Sequence, residues 1–246
     1  MAYETLAGAY DRLTQDIPYE EILAFYQKIM DLYGVKPETV LDLACGTGSL
    51  SVLLAQAGYS VLGADQSVEM LTQAYEKTML MEGNKPYFVR QKMQSLRLPV
   101  PVDCTVCCLD SINYVTNPED CRKAFCRVYE NLNPGGLFIF DINSEAKLKE
   151  LDGQMFIDED DDVYCVWRAE FDGKTRICTY GMDIFFRQGN LWERTAEEHL
   201  EYAYTARELT EWLKEAGFTD IRIFGDRRLD VPQENEQRLF FAAKKE

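Results

Sequence analysis

The stretch Val40-Leu-Asp-Leu-Ala-Cys-Gly-Thr-Gly-Ser-Leu50 decides how this chain is read. Val40 to Ala44 is a short apolar run holding one acid, Asp42. Cys45-Gly46-Thr47-Gly48 has the composition of a tight turn, and Ser49 to Ala57 is helical in pattern, closed by Gly58. Strand, turn and helix follow in that order. The next apolar run, Ser60 to Ala64, ends in Asp65, and Ser67 is placed to cap a helix carrying Met70, Leu71, Ala74 and Thr78 on one side.

The same alternation extends outward. Upstream, Ile22, Phe25, Ile29 and Leu32 repeat at helical spacing after Pro18. Downstream, Tyr87-Phe-Val89 and Cys104 to Leu109 read as the third and fourth strands. Pro118 opens a helix with Phe125, Val128, Tyr129 and Leu132, and Asn133-Pro-Gly-Gly136 turns into a fifth strand, Leu137 to Ile142. Near-continuously apolar strands alternating with helices predict a parallel sheet covered on both faces. Right-handed crossovers then leave an α/β, doubly wound arrangement as the expectation.

From Leu151 the texture changes. Val163 to Trp167, Thr175 to Phe186 and Leu191 to Tyr204 are mixed-polarity segments separated by Asp172-Gly173 and Gln188-Gly189-Asn190, which predicts an antiparallel β-insertion, with Asp158 to Asp162 as a solvated loop. Thr205-Ala-Arg-Glu208 has the form of a capping box and begins a last helix. Ile221 to Phe224 and Leu239 to Ala243 are joined by a polar loop without a helix, so the sheet is expected to finish in an antiparallel hairpin. Residues 1–150 and 205–246 are assigned to one domain, and 151–204 to an insertion that covers its site.

Composition narrows the function. The chain has 246 residues, 46% of hydrophobic type and 28% charged, which is globular composition. Its 26 Lys and Arg against 42 Asp and Glu give a net charge of −16, a field that disfavours nucleic acid as a partner. The first residues lack a basic region followed by an apolar stretch, and no run approaches the roughly 20 residues of a membrane span. A cytoplasmic protein with no membrane partner is expected. The eight cysteines show no framework or metal-site spacing, so buried free thiols and no metal are expected.

In an open α/β sheet, ligands settle beyond the carboxyl ends of the strands, where the strand order reverses. Gly46 and Gly48 let the backbone come close to a ligand there, and Asp65 is suited to accept hydrogen bonds from a ribose diol. A nucleoside ligand follows. Gly46-x-Gly48 with a following acid also satisfies most of a dinucleotide fingerprint, but Ser51 stands where its third glycine falls. Asp42, beside the turn, suits a cationic ligand better than a pyrophosphate.

At this point the chain resembles the class I S-adenosylmethionine-dependent methyltransferases over nearly its whole length. Asp42-Leu-Ala-Cys-Gly-Thr-Gly48 is similar to the family's acidic glycine motif, and Asp65-Gln-Ser-Val-Glu-Met70 to its ribose-binding motif. Gln91-Lys-Met-Gln-Ser-Leu96 occupies the place of the adenine-contacting loop, with Lys92 where an Asp is usual. Leu109-Asp-Ser-Ile-Asn-Tyr114 resembles the fourth-strand motif, and Asn133-Pro-Gly-Gly136 the turn before strand five. Tyr3-x-x-Leu-Ala-x-x-Tyr10-Asp11 points to a bacterial small-molecule-type subgroup with a β-insertion before the last helix.

The resemblance implies a seven-stranded, Rossmann-like sheet with an antiparallel last strand, and S-adenosyl-L-methionine held by Tyr10, Asp42, Ala44, Cys45, Gly46, Gly48, Asp65, Gln66, Met70, Met93, Gln94 and Leu109. It implies methyl transfer but brings no substrate with it; the acceptor is unidentified, and a small-molecule nitrogen or oxygen nucleophile is expected. Asp110 and His199, the only histidine, are the candidate bases, and Asn113, Tyr114 and Trp167 the candidate substrate contacts. Tyr180, Phe185, Phe186 and Trp192 are read mainly as sheet packing, and Arg168, Arg176 and Arg194 as ion pairs. Two other readings stay open on the residues alone: a nucleoside-sensing or partner-binding protein of the same fold without turnover, and a nicotinamide-dependent oxidoreductase.

Overall fold

A computed structural model describes residues 10–12 and 14–246 of the chain. The opening motif from Tyr3 to Ala9 lies outside the described residues. The main sheet is built from β1 (Thr39–Leu43), β2 (Ser60–Asp65), β3 (Tyr87–Arg90), β4 (Val102–Cys107) and β5 (Leu132–Asn143), all parallel. Helices α1 (Tyr19–Leu32), α2 (Ser49–Gln56), α3 (Val68–Met79) and α4 (Pro118–Glu130) cover it. After the short α5 (Glu145–Glu150), strands β6 (Met155–Glu159), β7 (Val163–Asp172), β8 (Ile177–Gln188) and β9 (Leu191–Tyr202) form a second sheet. Helix α6 (Ala206–Ala216) and strands β10 (Thr219–Phe224) and β11 (Arg238–Lys244) return to the first.

The seven strands lie in the order β10-β11-β5-β4-β1-β2-β3. β11 runs antiparallel to both β5 and β10, which is the expected terminal hairpin. The order reverses between β1 and β4, and their carboxyl ends therefore open a crevice. Alternate residues of the strands feed two cores. Leu41, Leu43, Phe138 and Phe140 pack on one face under α4 and α6; Val40, Val106, Ile139 and Phe240 pack on the other under α1 and α2. Burial on both faces is why these strands read as unbroken apolar runs.

Local chemistry sets the element ends. Ser67, Asn117 and Thr205 cap α3, α4 and α6 through side-chain oxygens, and Glu208 completes the capping box at Thr205. Two boundaries differ from the sequence reading. Asn133 to Gly136 is not a turn before β5 but part of that strand, and β4 stops at Cys107 because Leu109 and Asp110 leave extended geometry. The insertion has a fourth strand, β6, that includes Asp158 and Glu159 from the expected loop. It pairs along its whole length with β7, from Met155 opposite Arg168 to Glu159 opposite Tyr164.

Asn113 clips the insertion to the main sheet. Its Nδ2 donates to the carbonyls of Asn143 (3.0 Å) and Tyr202 (3.1 Å), and its Oδ1 accepts from the Asn143 N–H at 3.1 Å. The Tyr202 N–H donates to the Asn113 carbonyl at 2.8 Å. Asn113 is fully buried and its amide hydrogens are committed to backbone, so it serves packing rather than the substrate contact expected of it.

Candidate active site

A cavity of ≈ 270 Å³ opens at the carboxyl ends of β1, β2 and β4. The turn after β1 supplies Ala44, Cys45, Gly46 and Thr47; β2 and its following loop supply Asp65, Gln66 and Ser67; α3 supplies Met70. Met93 and Gln94 line it from the loop after β3, and Leu109, Ser111 and Tyr114 from the loop after β4. Tyr10 and Tyr19 close one side. Ten of the twelve residues expected at the cofactor therefore share one cavity, the exceptions being Asp42 and Gly48.

Asp65 is held in place by backbone. Its Oδ2 accepts from the Gly46 N–H at 2.9 Å and its Oδ1 from the Ser67 N–H at 2.8 Å, leaving further lone pairs for a ligand. Burial raises its pKa above the usual carboxylate value, and the backbone donors oppose that. Ala44 and Gly46 have φ of 58° and 54°. A Cβ built on Gly46 meets no protein atom within 4 Å, so this turn borders free space. Gly48 does the opposite work: with φ of 76°, a Cβ there falls 2.9 Å from the Phe88 ring and 3.1 Å from Ala74. Its glycine serves close packing of the turn on α3 and β3, not the cavity wall.

Asp42 lies beneath the floor. It is fully buried, its Oδ2 accepts from the Ser51 hydroxyl at 2.5 Å, and its Oδ1 has no partner among the described residues. Burial pushes its carboxyl up to about 7, Ser51 lowers it, and Asp65 adds to the rise. Ser51, at the place of the missing third glycine, thus serves this acid. The loop after β3 is stapled by Gln91, whose Nε2 donates to the Arg97 carbonyl (2.9 Å) while its Oε1 accepts from the Arg97 N–H (2.8 Å). Lys92 is exposed and outside the cavity wall, so the departure from Asp places no cation there.

The loop after β4 is strained and anchored. Leu109 and Asp110 have φ of 56° and 51°, a left-handed geometry unusual for two successive non-glycine residues. Each N–H donates to one oxygen of Asp141 on β5, at 2.9 and 3.1 Å. Arg238 in turn pairs with Asp141, with Asp110 at 2.7 Å and with the Asn143 Oδ1 at 3.0 Å. Burial works against the Arg238 charge, but the two aspartates outweigh it and hold the guanidinium ionised. Asp110, expected as a base, is turned to this ion pair and is not part of the cavity wall.

His199 is also away from the wall. It is 1% exposed, its Nε2 lies 2.9 Å from Glu197 Oε2, and its ring meets the edge of Tyr114 with centroids 5.9 Å apart. Tyr114 itself lines the cavity, so His199 acts behind it. Trp167 stacks on Phe156, donates to Asp158 at 2.8 Å, and lies outside the cavity wall, in a packing cluster of the insertion that also takes in Tyr10. Arg168 and Arg194 pair with Asp183, and Arg176 with Glu208. Sequence reasoning passed over Tyr19, Thr47, Ser111, Asn117 and Asp120, all at the cavity. Asn117 and Asp120 open α4, and only the sheet order brings that end of α4 to the crevice.

A family model described as a methyltransferase domain matches residues 40–136, the segment from β1 to the start of β5. A putative methyltransferase of Geobacillus sp. (strain WCH70) is 33% identical over the whole of both chains. The chain belongs to the S-adenosylmethionine-dependent methyltransferases. The crystal structure of a methyltransferase of that description from Clostridium acetobutylicum is 30% identical, covers 100% of this chain and 99% of its own, and superimposes with a TM-score of 0.88. A glycine/sarcosine N-methyltransferase of Parasynechococcus marenigrum is 27% identical over 90% of this chain and 76% of its own.

The wall of this methyltransferase suits its cofactor. Asp65 offers lone pairs to a diol, the open side of Gly46 admits a ligand against backbone, and Met70 and Met93 offer apolar surface to a base. No helix among the described residues is long and apolar enough to cross a membrane.

Proposed function

We propose that the protein moves a methyl group from S-adenosyl-L-methionine to a nitrogen or oxygen nucleophile of a small molecule by in-line displacement. The observation that carries this reading is the cavity at the reversal of strand order, with the Asp65 carboxylate on one side of it and the left-handed Leu109 turn on the other. The bound cofactor supplies an electrophilic methyl carbon on a sulfonium whose departure as a neutral thioether needs no proton. The chain's task is then to bind and orient: Asp65 holds the sugar, Gly46 and Ala44 give backbone to the methionyl part, Met93 and Gln94 flank the base, and Tyr10 and Tyr19 cover the cavity. Positioning of this kind supplies roughly 7–11 kcal/mol of a barrier.

Neither Asp110 nor His199 carries a catalytic role here, since both are engaged away from the wall. His199 positions Tyr114. Residues 151–204 form the cover over the site, the rest of the chain forming the cofactor-binding unit. The small acceptor accords with the N-methyltransferase names among the relatives. The eight unpaired cysteines, seven of them buried, accord with a reducing compartment, the cytoplasm.

Calorimetric titration with S-adenosylmethionine and with both nicotinamide dinucleotides tests the cofactor: binding of a dinucleotide alone overturns the reading. Incubation of a metabolite extract with methyl-labelled cofactor then tests turnover. Label recovered in one small molecule is the expected result, and bound cofactor with no label transferred across the extract would leave a sensor rather than an enzyme.

A further inference from the structure

Three consecutive residues, Tyr10, Asp11 and Arg12, each reach a different part of the molecule. Tyr10 lines the cofactor cavity and packs on the insertion cluster of Val163, Cys165 and Ile184. Asp11 turns to the loop after β1: its Oδ1 accepts from the Thr47 hydroxyl at 2.6 Å, and its Oδ2 lies 2.7 Å from Nζ of Lys77 on α3. The same ammonium donates to Oγ of Ser49, the first residue of α2, at 2.7 Å. Arg12 turns the other way. It grips Asp160, between β6 and β7, with two hydrogen bonds, from Nε to Oδ2 at 2.8 Å and from a terminal nitrogen to Oδ1 at 2.7 Å.

Both fastenings hold parts of the chain that are themselves fixed. Thr47 is buried and belongs to the cavity wall. Asp160 Oδ1 also accepts from the Asp162 and Val163 N–H groups, both at 2.8 Å, so Arg12 holds the carboxylate that shapes the β6–β7 turn. Exposed ion pairs add little when isolated, but a two-bond guanidinium–carboxylate fork and a shared network are the geometries in which they count. Three residues span at most about 10 Å, which leaves little slack between the two fastenings. A shift of the insertion turn therefore pulls on Tyr10. Neither Arg12 nor Asp160 is part of the cavity wall.

We propose that residues 10–12 are a strap in which Asp11 and Arg12 act as positioning residues, fastening Tyr10 against the bound cofactor from the cofactor-binding unit on one side and from the insertion on the other. The inference rests on the cofactor reading above and adds what holds the insertion to an occupied site. Coupling of this kind is reciprocal: docking of the β6–β7 turn strengthens cofactor binding, and cofactor binding steadies the turn.

The test is calorimetric titration of S-adenosylhomocysteine into the full-length protein. Arg12→Met and Asp160→Asn should each weaken binding about two- to fivefold although neither side chain lines the cavity, and the double variant should lose no more than either alone. Arg12→Lys, which keeps the charge without the fork, should recover part of the loss. Arg207→Met, which breaks an exposed pair with Glu211 on α6, is the control and should bind as wild type does. Hydrogen exchange gives the reciprocal readout: saturation with S-adenosylhomocysteine should slow the Asp162 and Val163 amides in wild type and not in Arg12→Met. Wild-type affinity in both Arg12→Met and Asp160→Asn overturns the proposal, as do losses that add in the double variant, an equal loss in the control, or exchange at the turn that ignores the ligand. Failure of the wild-type protein to bind S-adenosylhomocysteine would instead remove the cofactor reading, so the two failures are distinct.

Discussion

Asp42 to Asn is the substitution whose consequence can be worked furthest. The native carboxyl titrates near 7 against 3.8 for the free side chain, because burial without a partner for Oδ1 disfavours its charge. A carboxyl with a raised native value binds its proton more tightly folded than unfolded. The stability this confers is fully present below pH 3.8 and is lost as pH rises through about 7. The whole span corresponds to about 4 kcal/mol, of which about 2 kcal/mol falls between pH 5.5 and pH 8.5. Asparagine keeps an acceptor for the Ser51 hydroxyl and does not titrate. Asp65, Asp141 and Glu201 also titrate from raised values, so the readout is the difference between wild type and variant in urea unfolding free energy across that pH range. The difference should change by about 2 kcal/mol in favour of the variant at the alkaline end. Identical pH slopes in the two proteins would refute the reasoning. The cationic cofactor extends the test, since Asp42 perturbs Cys45, Cys108 and Tyr19, all on the cavity wall. S-adenosylmethionine binding should strengthen from pH 5.5 to 8.5 more steeply in wild type than in Asp42→Asn.

The two glycines of the turn should separate cleanly. Gly48→Ala incurs both a left-handed Cβ and the Phe88 contact, and should lose about 2–4 kcal/mol of stability by thermal or urea unfolding. Gly46→Ala, with free space beside it, should lose about 1 kcal/mol of stability but weaken cofactor binding by calorimetry. Asp65→Asn keeps one acceptor for the backbone and removes the charge, so cofactor affinity should fall by about 1.5–3 kcal/mol with folding retained; unchanged affinity removes Asp65 from the site. Arg238→Met leaves Asp110 and Asp141 uncompensated and should lose about 3–5 kcal/mol of stability, with Asp141→Asn in the same chain recovering part of it in a double-mutant cycle.

Those residues also mark how much of the site is legible in the sequence. Asp42, Gly46, Gly48 and Asp65 lie within two consecutive strand–turn–helix units, so short-range pattern sufficed to bring them to the end of the sheet. Pattern did not separate their roles, because whether a glycine faces a ligand or a phenylalanine depends on Phe88, a residue of β3. Asn113 and His199 stood out by place and type, an amide at the carboxyl end of the fourth strand and the only histidine, and neither signal names a partner. Only the partners, the Asn143 and Tyr202 backbone in one case and Glu197 with Tyr114 in the other, decide between a functional and a structural role. β6 was hidden because its burial is slight and its sequence acidic; pairing along β7 defines it, and pairing is non-local. Asp141 is the one acid of the apolar run Leu137 to Ile142, but nothing local ties it to Arg238, 97 residues on.

That last pair explains why the sheet ends as it does. Asp141 holds the two N–H groups of the Leu109–Asp110 turn, and left-handed geometry at two non-glycine residues costs roughly 1–2 kcal/mol each, so the turn needs its anchor. The anchor is itself a buried carboxylate whose charge burial disfavours, and it needs a cation. Arg238 is the first residue of β11 and lies opposite Asn143, the last residue of β5. Only an antiparallel strand has its first residue at the carboxyl end of its neighbour; a parallel β11 would begin at the far edge. The reversed strand therefore delivers a guanidinium to the crevice edge of the sheet, where it fixes Asp141, the strained turn, and through Leu109 the wall of the cofactor cavity.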